Sequence, residues 1–339
     1  MKNLHGLFSK ICRPGNKWAE QKPFFPKTTF NYKKKRMGIL KLIITYILHP
    51  IAGRLPHAFL MWLSEIAGLL LMYGKSADIM KKEVSKMLGP GCSQKKIHAT
   101  VLEALQNNQK DLFEIWSFPH MNQDKISRIT YFSSKKHIDS ALTLGKGSVV
   151  GVTHFGSWKI IIAALAYSGY PTYQLAIDPL TFCDPSRQRY QNKIMEIERA
   201  CEDSLPAHFL YVNKFLRKLY RAFKQNALVL NSLDGLSRDK QTQLQLMHTL
   251  IPVDKSAVTL AYRFDAPIVP IFAIRQNDNR HKLVVHKPII FDPELNPEQA
   301  VDKAFDQFMR FFTAHVETNP SHYVRILYQL AKDRYKVSK

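Results

Sequence analysis

The chain has 339 residues, 45% of them hydrophobic and 22% charged, and its 49 Lys and Arg against 27 Asp and Glu give a formal net charge of +22. This composition excludes a disordered chain and a small disulfide-stapled protein, and it is too polar for a multi-span membrane protein. The length suits one large domain or two small ones. So large a positive charge favours an anionic partner, such as nucleic acid, anionic lipid or an acidic carrier.

The N-terminal segment is the most basic part of the chain. Residues 1–36 contain ten Lys and Arg against one acid, Glu20, and they show no apolar periodicity. This pattern predicts a basic flexible arm over 1–36. The four cysteines are far apart with no CxxC pair, which indicates a reducing compartment, and we expect no secretory signal.

Two apolar segments follow the arm, over 37–50 and 58–73, and they are interrupted by Lys41 and Glu65. Neither segment has the ~18–20 consecutive uncharged residues that a membrane-spanning helix needs. We therefore predict membrane-associated helices over 37–74, which lie at the interface or form a single anchor; the alternative is a pair of buried core helices. The four basic residues at 33–36 are typical of a segment next to an anionic cytoplasmic leaflet.

The rest of the chain changes character near residue 147. Residues 75–145 are predicted to be helical. Beyond them, apolar runs typical of strands alternate with helical segments: strands at 148–153, 172–177, 227–233, 267–274 and 282–286, and helices at 158–168, 187–203, 212–225, 257–264 and 297–317. The alternation predicts an α/β domain over 75–330, with a mainly parallel central sheet, helices on both faces, and a basic tail over 331–339.

Ligands of such a sheet bind beyond the carboxyl ends of its strands, so the residues after each strand are the candidates for a site. His154 follows the first predicted strand and is placed to act as a general base, although a lone histidine is more often structural. Gly156 permits a tight turn, and Ser157 is predicted to cap the next helix. Asp234 follows the third predicted strand, where Asp-Gly is also ordinary turn chemistry.

Several segments, in the same order, resemble the bacterial lipid A late acyltransferases, a branch of the lysophospholipid acyltransferase superfamily. The resemblance extends over roughly residues 38–330, and its blocks are GKGSVVGVTHFGSW at 145–158, GYP at 169–171, LDG at 233–235, TLAYRFDAPIVPIFAIR at 259–275 and NPSHY at 319–323. It implies a glycerolipid-acyltransferase-like fold and a location on the cytoplasmic face of the bacterial inner membrane, held peripherally or by one anchor.

The resemblance also implies a reaction. Members carry a His-x4-Asp/Glu dyad whose histidine, His154 here, deprotonates an acceptor that then attacks the thioester of an acyl carrier protein or coenzyme A. The acid orients the imidazole. No cofactor is implied beyond that co-substrate, and the partners are an anionic membrane surface and a lipid or lipid-like acceptor. We assign substrate binding to Phe155, Gly156, Ser157, Trp158, Gly235 and Arg275 of these blocks. We add Arg238, which follows the third predicted strand and has a guanidinium suited to bind a phosphate group.

The sequence departs from this pattern at Lys159, which occupies the position of the dyad acid. An ammonium group cannot accept the imidazole N–H. Three explanations stay open. Another carboxylate after a strand orients His154, with Asp234, Asp178 and Asp184 as candidates; His154 acts as a lone base; or catalysis is lost and a lipid-binding or partner-binding scaffold survives.

The sequence hypothesis is therefore a membrane-associated acyltransferase, with a catalytically impaired pseudoenzyme as the alternative. His120, His137, His208, His281 and His286 have no metal-binding spacing and are interpreted as structural or exposed. Nucleic-acid binding rests on net charge alone, without a recognisable binding motif, and we do not expect it.

Overall fold

The structure is a computed structural model that describes residues 44–182, 189–211, 216–234 and 241–337. These residues belong to one compact unit, Ile43–Lys339. The predicted basic arm over 1–36, the first residues of the predicted apolar helices and the last two residues of the predicted tail lie outside the described residues.

A seven-stranded sheet with the order β1-β9-β8-β2-β5-β3-β4 forms the centre of this unit. All of its strand pairs are parallel except β8 with β9, which form an antiparallel pair. A separate antiparallel hairpin consists of β6 and β7. The strands are β1 (Thr130–Phe132), β2 (Ser148–Val152), β3 (Thr172–Ala176), β4 (His208–Tyr211), β5 (Leu228–Ser232), β6 (Gln241–Leu246), β7 (Thr249–Asp254), β8 (Ile268–Arg275) and β9 (His281–Val285).

Helices surround the sheet. A π-helical turn (Ile44–Leu48) leads into the first of them, and 3-10 turns occur at Phe118–His120, Pro179–Phe182 and Pro320–Tyr323. The α-helices are α1 (His49–Ala52), α2 (His57–Leu71), α3 (Lys75–Leu88), α4 (Gln94–Trp116), α5 (Gln123–Ile129), α6 (Lys136–Leu142), α7 (Trp158–Tyr167), α8 (Arg189–Asp203), α9 (Leu216–Lys224), α10 (Ser256–Arg263), α11 (Pro297–Thr318) and α12 (Val324–Val337).

The two faces of the sheet pack into separate apolar cores. All five residues of β2 are buried, as expected for a strand covered on both sides. Val149 packs on one face with residues of α9, α10 and α11, whereas Val150 and Val152 pack on the other face with residues of α2, α4, α7 and α8. The predicted α/β class, with a mainly parallel sheet between helices, is confirmed.

Several features of the fold differ from the sequence prediction. Helix α12 was not predicted, and it continues to Val337, within the predicted tail over 331–339. The region 75–145, predicted to be helical, contains the short strand β1. Strand β4 and the hairpin β6–β7 were not predicted. β1 and β4 have three and four residues and lie at the two edges of the sheet, where a strand needs few apolar side chains.

The described part of the predicted membrane-associated segment consists mainly of helix α2, which the π-helical turn and α1 precede. One side of it packs against α4, where Gly68 lies so close that a Cβ would be 2.5 Å from Gln106 Cγ. The opposite side leaves Phe59, Trp62 and Leu70 exposed. Among the described residues no single helix is long and apolar enough to cross a membrane. Helices α2 and α3 together have the length and composition of a span, but the chain bends by 86° between them.

Candidate functional site

The sheet brings His154 and Asp234 together. Strands β2 and β5 are parallel neighbours, and their register pairs Val152 with Ser232. His154 lies two residues after Val152, and Asp234 lies two residues after Ser232, so both reach the carboxyl edge of the sheet at the same height. The backbone N–H of Leu233 donates to the Val152 carbonyl at 3.0 Å and keeps the two chains paired past the strand ends.

The Asp234 carboxylate binds His154 at two points. Nδ1 of the ring lies 2.9 Å from Oδ1, and the backbone N–H of His154 donates to Oδ1 at 3.0 Å and to Oδ2 at 2.8 Å. The Ser232 hydroxyl donates to Oδ1 at 3.1 Å. The Asp234 side chain is fully buried, whereas one third of the His154 side chain is exposed. The carboxylate thus lies behind an imidazole that faces outward.

The charge state of Asp234 determines which ring nitrogen of His154 carries the proton. Burial alone would raise the pKa of Asp234, but the interaction with His154 and the hydrogen bonds from that residue and Ser232 hold the pKa below its ordinary value. An ionised carboxylate only accepts hydrogen bonds, so Nδ1 donates and the lone pair is on Nε2. Within the described residues Nε2 has no hydrogen-bond partner.

A tight turn after β2 holds the imidazole in place. Gly156 has φ +60°, and a Cβ there would be 2.2 Å from the Ala273 carbonyl oxygen, so only glycine fits. Its N–H donates to the His322 carbonyl at 2.9 Å. Phe155 points inward and stacks on the His322 ring at 5.2 Å, and Trp158 contacts the His154 ring edge-on at 5.2 Å. The turn is therefore fixed against the 3-10 turn Pro320–Tyr323.

His322 links this turn to Arg275. The backbone N–H of Arg275 donates to His322 Nε2 at 3.1 Å, and Nδ1 lies 3.1 Å from the Ser321 hydroxyl. Burial, with the nearby charges of Arg275 and His281, lowers the pKa of His322 to about 3. The ring therefore stays neutral and keeps an acceptor nitrogen towards Arg275.

A buried charged cluster lies on the other side of Arg275. Its guanidinium donates to both carboxylate oxygens of Glu114 at 2.8 Å and to Asp111 Oδ1 at 2.7 Å. His281 Nε2 lies 3.0 Å from Glu114 Oε2, and His57 at the start of α2 lies 3.4 Å from Oε1. Although burial opposes ionisation, Arg275 and His281 hold the pKa of Glu114 well below its ordinary value. The cluster joins α2, α4 and the ends of β8 and β9 behind the turn.

Lys159 does not face the imidazole in this geometry. It lies on the first turn of α7, where its Nζ is hydrogen-bonded to Glu198 and, at 2.8 Å, to Glu202, both on α8. Burial lowers the pKa of Lys159, but the two carboxylates outweigh it and raise the pKa above its ordinary value. The ammonium therefore belongs to an ion-pair cluster that joins α7 to α8.

The predicted substrate-binding residues fall into three groups: buried, half-buried and outside the described residues. The side chains of Phe155, Ser157 and Arg275 are buried, and Gly156 and Trp158 are half-buried at the turn. Gly235 and Arg238 lie outside the described residues, as does the alternative acid Asp184. The predicted capping role of Ser157 is wrong, because its hydroxyl makes no cap bond and instead lies 3.5 Å from Glu114. Substrate binding stays a prediction for the whole set.

Asp178, another alternative acid, is engaged elsewhere. Its Oδ2 lies 2.7 Å from Arg199 Nη1, and its Oδ1 accepts from the Leu180 N–H at 3.0 Å. Of the two alternative acids that the structure describes, Asp178 and Asp234, the one whose carboxylate meets His154 is therefore Asp234.

Sequence reasoning missed Glu114, Asp111, Tyr323 and the roles of His281 and His322. Glu114 had a visible signal, since it is a lone acid within the apolar run from Leu112 to Trp116. Tyr323 is fully buried, and burial and the nearby Asp234 raise the pKa of its hydroxyl. Among the described residues, that hydroxyl has no partner in hydrogen-bond geometry. Among the described residues, no group of three His, Cys, Asp or Glu side chains has the arrangement of a metal site.

A histidine oriented by a buried carboxylate at the carboxyl edge of a parallel sheet defines a class of proton-transfer site used in acyl transfer. The family model described as bacterial lipid A biosynthesis acyltransferase matches residues 31–332. The chain therefore belongs to this family, whose members are membrane-associated in bacteria. At the level of individual sequences, no curated protein matches the chain.

Proposed function

We propose that the protein transfers a fatty acyl group from a thioester donor to a hydroxyl or amine of a lipid A-like acceptor, with His154 as the general base. The observation that carries this proposal is the His154–Asp234 pair, in which the ring has a donor nitrogen towards a buried carboxylate and an acceptor nitrogen towards solvent. Membership of the acyltransferase family supplies the reaction class and the acceptor class.

The chemistry can be followed by atoms. Nε2 of His154 accepts the proton of an acceptor hydroxyl as its oxygen attacks the thioester carbonyl carbon. The carbon–sulfur bond then breaks, and the leaving thiolate takes the proton from the imidazolium, so the histidine is regenerated. The Asp234 carboxylate stabilises the imidazolium between these two steps, which is the role of the acid in a hydrolase triad.

In this proposal Asp234 replaces the acid that the resemblance places at position 159. Lys159 then has a structural role: its charge is balanced by Glu198 and Glu202 rather than directed at the imidazole. Fixation of the turn by Gly156 and His322 supports catalysis as well, because a base held in one rotamer and one tautomer loses little entropy in the transition state.

The apolar outer side of α2 supports a place for the protein on a membrane surface. Exposed Phe59, Trp62 and Leu70 form an apolar strip on the helix whose first residue, His57, reaches the Glu114 cluster. Exposed apolar strips of this kind are typical of helices that lie in the interface. The location we propose is the cytoplasmic face of the inner membrane.

The test is product identification with purified full-length protein. Acyl carrier protein and coenzyme A thioesters of several chain lengths are supplied with lipid A precursors and lysophospholipids in mixed micelles, and products are resolved by mass spectrometry. We expect an acceptor whose mass increases by one acyl group. Absence of transfer across this panel, from protein that still binds the acceptor, would favour the scaffold alternative.

A further inference from the structure

The outer side of α9 is a strip of positive charge. Its nine residues contain four basic side chains and no acid, and Arg217, Lys218, Arg221 and Lys224 are all exposed. The inner side is apolar and buried: Leu219, Ala222 and Phe223 pack into the core beneath the helix. The burial pattern therefore fixes the basic side chains towards solvent.

No acid in the described part of the chain pairs with these charges. Within the described residues, none of the four basic side chains of α9 forms an ion pair, and Lys224 only lies 5.7 Å from the centre of the Tyr220 ring. Some exposed lysines on other elements are paired, as Lys303 of α11 is with Asp292 at 2.8 Å. The described acids therefore leave the positive charge of α9 unpaired.

One further arginine extends the strip. Arg263 ends α10 and is exposed, again without an ion pair among the described residues. The next residue, Phe264, stacks on Phe223 of α9 at 4.2 Å between ring centres. We define Arg217, Lys218, Arg221, Lys224 and Arg263 as the basic strip, which carries a charge of +5.

The basic strip begins at the edge of the sheet that carries the site. Helix α9 connects β4 to β5, which are both strands of the parallel part of the sheet, so its first turn lies at their carboxyl edge. Strand β5 ends two residues before Asp234. A partner on the first turn of α9 can therefore present a flexible arm to the His154–Asp234 edge.

The position of the strip also separates it from the apolar surface of α2. Leu219 and Phe223 of α9 pack in the core on one face of the sheet, whereas Leu60 and Met61 of α2 pack in the core on the other face. A membrane that contacts the apolar side of α2 thus does not explain the charge of α9. The strip is left for a partner that approaches from the aqueous side.

We propose that the basic strip docks an acidic carrier protein, which delivers the acyl thioester to the site. The inference deepens the proposed function and rests on it. Charge complementarity is the reason for choosing an acidic protein: unpaired surface charges of one sign steer and orient an oppositely charged partner without requiring a deep apolar interface.

The experiment compares two charge-reversal variants of equal net charge. Arg217→Glu/Arg221→Glu changes the strip, and Lys95→Glu/Lys96→Glu changes two exposed lysines of α4 that lie in no ion pair among the described residues. Binding of acyl carrier protein is measured by fluorescence anisotropy at 50 mM and 300 mM salt. We expect the strip variant to weaken binding by about 10-fold or more at low salt, and the control by less than about 2-fold.

A second measurement separates this inference from the proposed function. Transfer from coenzyme A thioesters by the strip variant should stay within about 2-fold of the unmodified protein, while the KM for the carrier-linked donor rises. Equal carrier binding by both variants, or no carrier binding by the unmodified protein, overturns the docking proposal. Loss of binding to phosphatidylglycerol vesicles in the strip variant alone, with carrier binding unchanged, also overturns it and assigns the strip to a membrane. His154-dependent transfer would persist in all these cases if the proposed function is correct.

Discussion

Replacement of Asp234 by Asn is the sharpest perturbation of the site. Asp234 accepts from both N–H groups of His154, at 2.8 to 3.0 Å. An Asn side chain has one acceptor oxygen and one NH₂ group, so it cannot accept at both positions of the carboxylate. If its oxygen pairs with the backbone N–H, its NH₂ group faces Nδ1 and forces the proton of the ring onto Nε2, which then cannot act as a base.

The expected loss can be bounded. A hydrogen bond to a charged group contributes about 1.5–3 kcal/mol, and each 1.36 kcal/mol of barrier is tenfold in rate, so the lost contact alone slows transfer by roughly 10–150-fold. The wrong tautomer adds to this, up to the ~10⁴-fold seen when the acid of a hydrolase triad becomes an amide. We expect kcat to fall by about 10²–10⁴-fold and KM to change by less than about threefold.

The assay is initial-rate transfer of a radiolabelled acyl group at several donor concentrations. Asp178→Asn is the matched control, because it makes the same chemical change at the other described candidate acid, whose partners are Arg199 and Leu180 rather than His154. The control should keep kcat within about threefold of the unmodified protein. An Asp234→Asn protein with more than a third of the normal kcat, or a control that loses as much, would refute the role of Asp234.

Three further predictions concern stability and membrane contact. His322→Gln keeps an acceptor for the Arg275 N–H but removes a histidine whose pKa burial lowers to about 3. Because the unfolded histidine takes up its proton near pH 6.5, the unmodified protein should lose about 3 kcal/mol of stability between pH 6.5 and 4. The variant should keep that stability, and urea unfolding at both pH values measures the difference. Lys159→Met leaves two partly buried glutamates without their cation and should destabilise the fold by about 3–5 kcal/mol. Replacement of both glutamates by glutamine in this variant should restore stability. An unchanged melting temperature of Lys159→Met would contradict the ion-pair cluster. Trp62→Asp/Leu70→Asp should reduce sedimentation with anionic vesicles at least about 10-fold. The melting temperature should not change, because both side chains are already exposed. Full vesicle binding by this variant would exclude α2 from the membrane contact.

The central strands were predictable from sequence because they are continuous apolar runs between helical segments. The predicted strand at 148–153 corresponds to Ser148–Val152, and that at 267–274 corresponds to Ile268–Arg275. The hairpin β6–β7 was not predictable from the sequence. Its first strand, QTQLQL, is mostly polar, and its turn has a positive φ of 51° at Met247 rather than at a glycine. Such a turn carries no sequence signal of the usual kind.

The candidate site was predictable only in part, for a physical reason. His154 and Asp234 each follow an apolar strand, so their position at the carboxyl edge follows from the strand pattern. Which of three acids meets the imidazole depends on strand order and register, and neither is encoded by local periodicity. Glu114 is 161 residues from Arg275 in the chain, so their buried contact is a property of tertiary packing alone.

The comparison of the unmodified protein with His154→Ala most directly tests whether this protein is an acyltransferase that works through His154. Both proteins are purified in full length, matched for folding by near-UV circular dichroism and acceptor binding, and assayed for single-turnover acyl transfer from a thioester donor. We predict that the unmodified protein forms acylated acceptor and that the variant forms it at least about 10³-fold more slowly. Equal rates in the two proteins would contradict the assignment of His154 as the base.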